Sequence, residues 1–190
     1  MTAFTKFVLA NQDKPLGQPL VGLEVGVRDG RNALDLLTDL NILKLYLVDD
    51  FKEYQDGTAR YYNQEDQEME FQKLVKYTDH VYDRVVLIRQ PSKLARNIFP
   101  FGVLDFVYID GNHNYEFVKD DLIWWNQIRE GGILAGHDYD SYDGQDVKKA
   151  VDEFVESMSN SATTLKVHDL GGRINGGGGT EWAIIKPKIQ

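Results

Sequence analysis

The seventeen residues VGLEVGVRDGRNALDLL, positions 21–37, decide the fold of this chain. A short valine-rich run over 20–26 reads as a buried strand, and apolar residues at 33, 34, 36, 37 and 40 place a helix over 32–40. Between them stand Gly26 and Gly30. A glycine at a strand end and another at a helix start permit a sharp turn whose backbone approaches a ligand, and the helix N-terminus adds unpaired amides. The dinucleotide fingerprint runs G-x-G-x-x-G; here the spacing is G-x-x-x-G, with Arg28 in place of the middle glycine. That spacing argues against a bound pyrophosphate and for a smaller cofactor.

Working outward, a second strand over 43–48 ends at Asp49-Asp50, nineteen residues after Gly30 for the first of them. A carboxylate at that strand tip accepts hydrogen bonds from both hydroxyls of a ribose, or else caps a loop. Further strands are predicted over 84–88, 103–109, 133–136, 164–167 and 181–185. Helices are predicted from Met69 to about 79, over 92–97, over 115–129 with Gly131-Gly132 as its stop, and along the stripe Val147, Ala150, Val151, Phe154, Val155 and Met158. Strands alternating with helices point to a parallel sheet covered on both faces. Residues 168–180 contain six glycines and hold no crossover helix, so the last two strands form an antiparallel hairpin. The expected architecture is a Rossmann-like, doubly wound α/β three-layer sandwich with seven mostly parallel strands. Residues 1–19 form an arm or short helix, and 20–190 form the domain.

Composition narrows the function. At 190 residues with 42% hydrophobic content the chain suits one globular domain. It has no cysteine, which excludes disulfides and thiolate metal sites. A formal charge of -9 sets a field that repels nucleic-acid backbones. MTAFTKFVLANQDKP does not read as a signal peptide, and no apolar run is long enough for a membrane span. The expected location is cytoplasmic. Tyr54, Tyr61, Tyr62, Tyr77 and Tyr82 either line a pocket or pack a long loop.

Two other strand ends carry chemistry. One is Val107-Tyr108-Ile109-Asp110-Gly111-Asn112-His113; the other is Leu134-Ala135-Gly136-His137-Asp138-Tyr139. In a doubly wound sheet both lie on the ligand side. Asp110, His137 and Asp138 then supply two carboxylates and an imidazole, a divalent-metal set. His113 is placed to act as a general base. The plainer alternatives are that His113 caps a helix and Asp110 binds backbone amides. His80 and His168 are expected to be structural.

Taken together, YIDGNHNYEFVKDDL, GGILAGHDY and the glycine turn resemble the class I S-adenosylmethionine-dependent methyltransferases. The nearest group is the methyltransferase-24 type, which includes macrocin-like sugar O-methyltransferases and the protein associated with cephalosporin hydroxylation. The resemblance spans about residues 20–186. It implies that Glu24, Gly26 and Gly30 hold the methionine part of S-adenosyl-L-methionine. It also implies that Asp49 binds its ribose and that Gln90, Pro91 and Ser92 meet the adenine edge. Asp110 falls beside the cofactor, and with His137 and Asp138 at the positions of a Mg2+ site. Relatives often have an acid where His137 stands. His113 matches the proposed base. The implied reaction is methylation of a hydroxyl on a small-molecule or sugar acceptor. A nucleotide-binding oxidoreductase-like enzyme and an inactive methyltransferase-like binding subunit remain as alternatives. Tyr139, Tyr142, Trp125 and Tyr54 are candidate acceptor contacts, with core packing the alternative for Trp124 and Trp125. The 27 residues after the fifth strand and the loop 171–179 are candidate covers. The short N-terminal segment suggests a homo-oligomer, a dimer above all.

Overall fold

The computed structural model of the protein describes residues 1–15, 17–55, 61–140, 145–159, 164–171 and 180–188. Its strands are β1 (Leu20–Val25), β2 (Ile42–Val48), β3 (Tyr54–Gln55), β4 (Tyr61–Tyr62), β5 (Val85–Ile88), β6 (Leu104–Ile109), β7 (Ile128–Gly136), β8 (His168–Gly171) and β9 (Glu181–Ile185). The helices are α1 (Ala3–Asn11), α2 (Arg31–Asp39), α3 (Gln64–Thr78), α4 (Ser92–Ala95), α5 (Tyr115–Leu122) and α6 (Gln145–Met158).

Seven strands form one sheet in the order β5-β2-β1-β6-β7-β9-β8. The first five are parallel, while β9 runs antiparallel to both β7 and β8. The expected three-layer α/β sandwich with its terminal hairpin is what forms. Each face of the sheet has its own core. On one side Phe4, Val8, Ala33, Leu36, Leu37 and Leu74 bring in α1, α2 and α3. On the other, Ala95, Val118, Leu122, Trp124, Val147 and Val151 bring in α4, α5 and α6. Strand order reverses between β1 and β6, and in a doubly wound sheet the carboxyl ends of the strands at such a point form the ligand crevice. Among the described residues no helix is long and apolar enough to cross a membrane.

The N-terminal segment is a helix rather than an arm. Thr2 caps it by accepting from Thr5 N, and Phe4 packs against Phe106 and Tyr108. Two predicted elements are corrected. The helix expected over 115–129 ends at Leu122, passes through a 3-10 turn over Ile123–Asn126, and gives way to β7 at Ile128. Trp125 and Ile128 keep helical spacing, but Ile128 pairs with Leu104 in the sheet. Gly131 and Gly132 therefore lie inside a strand, at a register shift opposite Leu104 to Phe106. Gly131 has φ 72, and a Cβ on Gly132 would lie 2.8 Å from the Asp105 carbonyl oxygen. The glycines stand there because the strands close up at the bulge. The strand expected over 164–167 forms instead at His168–Gly171, where it meets β9. Leu165, upstream, is buried in the core.

Tyr54 and Tyr62 stack, centroids 4.6 Å apart, and Tyr61, Tyr77 and Tyr82 are exposed. Trp124 is in the core. Trp125, also buried, helps line a cavity of 470 Å³ with Phe101, Ile128, Met158 and Lys186, at the edge of the sheet opposite the crevice. It is not an acceptor contact. Tyr142 and positions 172–179 of the glycine-rich loop lie outside the described residues.

Candidate active site

The parallel ladders run one residue past each strand, and this aligns the site. Gly26 N donates to Val48 O, Asp49 N to Ile88 O, Asp110 N to Val25 O, and His137 N to Ile109 O. Because Ile109 faces Gly136, the next residues, Asp110 and His137, are brought side by side although 27 positions separate them. Among the described residues, three that are not glycine have positive φ: Arg28 at 54, Phe51 at 50 and Asp138 at 59. Each lies just past a strand end on this edge. Backbone in that region is disfavoured for side-chain-bearing residues and gathers at functional sites.

The glycine turn is closely packed against protein. A Cβ on Gly26 would lie 2.3 Å from the Asp110 carbonyl oxygen and 2.4 Å from Gly111 Cα. At Gly30 it would meet Leu74 Cδ1 at 2.5 Å. Both glycines also have positive φ, 79 and 82. They bring protein to protein, closing β1 onto the end of β6 and α2 onto α3. Gly26→Ala is therefore expected to destabilise the fold itself by about 3 kcal/mol or more, measured by urea unfolding. A variant as stable as wild type would contradict this account. Ligand loss in such a variant says little about ligand contacts.

Glu24 is the unusual group of the turn. It is 1% exposed; Oε1 accepts from Asn32 Nδ2 at 3.0 Å, and Oε2 has no hydrogen-bond partner among the described residues. Burial pushes its carboxyl from 4.5 up to about 8, against the Asn32 hydrogen bond and with help from Asp110, Asp49 and Asp29. Asp49 is half-buried. Oδ2 accepts from Val27 N at 2.9 Å and Arg28 N at 3.2 Å, and Oδ1 from Phe51 N at 2.9 Å. Burial raises its carboxyl while those amides oppose the rise. The loop-capping reading of Asp49 is thus realised. Three amides fill three of a carboxylate's roughly four acceptor positions, which leaves room for one more donor.

Across the crevice, His113 Nε2 stands 3.3 Å from Asp138 Oδ2 and 3.6 Å from Asp110 Oδ1, and His137 Nδ1 stands 3.1 Å from Asp138 Oδ2. One ligand atom each from Asp110, His137 and Asp138 lies within 4.8 Å of the others. The hydrogen bond to Asp138 raises His137 to about 9, outweighing burial, with Asp110 and Glu181 adding to the rise. For His113 burial acts downward, but Asp110 and Asp138 outweigh it and raise its basicity. The cluster attracts positive charge and stabilises a proton on either ring.

The remaining sequence candidates fall unevenly. Gln90 is exposed and Pro91 half-buried after β5. Ser92 faces inward, where its hydroxyl accepts from Trp124 Nε1 at 2.8 Å. Tyr139 is engaged by α6: its hydroxyl donates to Asp152 at 2.5 Å and accepts from Lys148 at 2.9 Å. His168 packs against Phe7 with ring centroids 5.1 Å apart and the planes tilted by 51°, a structural position. Asp121 escaped the sequence reading. It lies on the buried stripe of α5 with Val118 and Leu122, 7% exposed. An acid at apolar helical spacing was the signal available.

A family model for a methyltransferase domain, of the methyltransferase-24 type, matches residues 23–139. No curated protein matches the chain. Among solved structures, a Corynebacterium glutamicum protein is 15% identical, with 99% of this chain and 81% of that one covered and a TM-score of 0.66. An rRNA methylase from Streptococcus thermophilus is 13% identical, covering 97% of this chain and 95% of that one, with a TM-score of 0.65. An O-methyltransferase of tomaymycin synthesis from Streptomyces achromogenes, in complex with SAM, is 13% identical, covering 97% and 78%, with a TM-score of 0.63. At such identities the likeness is one of fold.

Proposed function

We propose, from the premise that this chain belongs to the methyltransferase-domain family matched over residues 23–139, that it binds S-adenosylmethionine across the β1–β6 crevice and methylates a hydroxyl of a small-molecule or sugar acceptor. The observation that carries this reading is the orphaned Glu24 Oε2 at the foot of the glycine turn. An ionised carboxylate buried there needs a cation, and the ammonium of an amino-acid moiety is the complementary group. A nucleotide without an amine leaves it bare. The residues present therefore fit a nucleoside that carries an amino acid. Asp49, with one acceptor position left, suits a ribose hydroxyl.

When bound, S-adenosylmethionine supplies a methyl group on a sulfonium sulfur, which requires a nucleophile held in line. The chain's own part is placement and proton management. His113 is positioned to take the acceptor's hydroxyl proton, and Asp110 and Asp138 stabilise the imidazolium that results. Asp110, His137 and Asp138 are the residues that would hold a divalent cation. Two carboxylates and an imidazole suit a first-row transition ion better than Mg2+, which favours oxygen ligands alone. Such an ion supplies Lewis acidity toward the acceptor oxygen when bound. The acidic surface, net -9, favours small acceptors over nucleic acid.

Calorimetric titration with S-adenosylhomocysteine tests the reading. Wild type is expected to bind, and Asp49→Ala to bind at least about tenfold more weakly, as suits loss of a charged hydrogen-bond acceptor. Folded wild-type protein that takes up no S-adenosylhomocysteine would overturn the assignment.

A further inference from the structure

A second buried acid reaches the crevice from the face opposite Glu24. Asn32 of α2 meets Glu24 on one side of the sheet, whereas Asp121 belongs to α5 on the other. The point that a Cβ on Gly111 would occupy lies 3.6 Å from Asp121 Oδ2, 3.8 Å from Val25 Cγ1 and 4.0 Å from Gly26 Cα. The carboxylate thus stands at the foot of the crevice, beside the ends of β1 and β6.

Its polar surroundings are sparse. Ser92 accepts from the Trp124 indole, so its own proton is free to point to Asp121. The neighbouring Arg96 donates to the Asp120 carbonyl oxygen at 2.8 Å. One serine hydroxyl fills a fraction of what a carboxylate accepts. Burial accordingly pushes Asp121 up to about 7, opposed first by Ser92.

We propose that Asp121 determines base specificity, accepting a hydrogen bond from the exocyclic amine of adenine. The inference rests on the nucleoside reading above. With its ammonium at Glu24 on the α2 side and its ribose at Asp49 on β2, such a ligand turns its base toward α4 and α5. There Asp121 is the buried acceptor with capacity to spare. Ser92 acts through Asp121, as a positioning residue.

The test compares S-adenosylhomocysteine with S-inosylhomocysteine, in which a carbonyl oxygen replaces the amine. Above pH 8, where Asp121 is ionised, wild type is expected to prefer the adenine ligand roughly thirtyfold, because two acceptors would otherwise face each other. In Asp121→Asn the amide can present its oxygen or its amine, so the preference should shrink to about threefold or less, mainly through tighter binding of the inosine analogue. A purely structural role would weaken both ligands and leave their ratio unmoved. Ser92→Ala, which keeps the carboxylate, should retain the adenine preference in reduced form. Equal binding of both ligands by wild type, or an unchanged ratio in folded Asp121→Asn, overturns the inference. Failure of wild type to bind S-adenosylhomocysteine at all strikes the methyltransferase reading instead.

Discussion

Glu24→Gln is expected to stabilise the ligand-free protein at pH 8 and at the same time to weaken its hold on S-adenosylhomocysteine. The folded protein keeps the Glu24 proton up to about 8, whereas an unfolded glutamate releases it near 4.5. Between those values the folded state binds the extra proton, so the residue's contribution to stability falls as pH rises. By pH 8 that loss is about 4 kcal/mol. Glutamine has no proton to release. The variant's advantage should therefore be small near pH 4.5 and grow to as much as roughly 10 °C in Tm at pH 8 for a chain of this size. Binding moves the other way. Without a carboxylate for the ligand's ammonium, affinity should fall about thirtyfold, the scale of a charged hydrogen bond. In wild type the incoming ammonium should expel the Glu24 proton near neutral pH. Calorimetric enthalpies would then depend on the ionisation heat of the buffer, and those of the variant would not. Thermal midpoints that track wild type from pH 5 to 8 would refute the account of the buried acid.

The second large effect is expected at the metal cluster. Asp138→Asn should lower Mn2+ affinity by about a hundredfold or more, since it removes a carboxylate lying against both His113 and His137. Asparagine tolerates the left-handed backbone that Asp138 adopts, φ 59, so the chain path should survive and the charge alone should go. Calorimetric titration with MnCl2 of both proteins reads the difference. Wild type that takes up no Mn2+, or a variant that binds it as well, would remove the metal from the reading.

How much of this was visible beforehand depends on the physics behind each residue. The Asp110–His137 meeting was legible because parallel strands put their carboxyl ends on one edge, whatever the sequence distance between them. The glycines were legible in place but not in purpose. Gly26 was expected to admit a ligand; the fold also needs it to admit the Asp110–Gly111 backbone, a contact made by a residue more than eighty positions away. The helix expected as far as Arg129 failed because Trp125 and Ile128 satisfy helical spacing while Ile128 pairs with Leu104. Local periodicity cannot see that partner. Asp49 shows both outcomes in one side chain. It caps the turn with three amides, as its plainer reading held, and still has room for the ribose that the resemblance implies. Asp121 was missed because an acid on a helix reads as solvated, and its burial depends on how α5 lies on β6.

Glu181 ties the two extremes of the described chain together. One of its oxygens accepts from Phe4 N at 2.8 Å and the other from the Tyr108 hydroxyl at 2.9 Å. Its strand, β9, is threaded between β7 and the earlier-made β8. The sheet's far half and the seat of α1 must therefore wait for residues 181–185 to leave the ribosome. Until then Phe4, Phe106 and Tyr108 lack the neighbour that closes over them, and β7 has an open edge. Such long-range closure is slow and leaves apolar surface uncovered in the interval. The growing chain is thus open to aggregation until residues 181–185 emerge, because α1 gains its full seat only once Glu181 is in place.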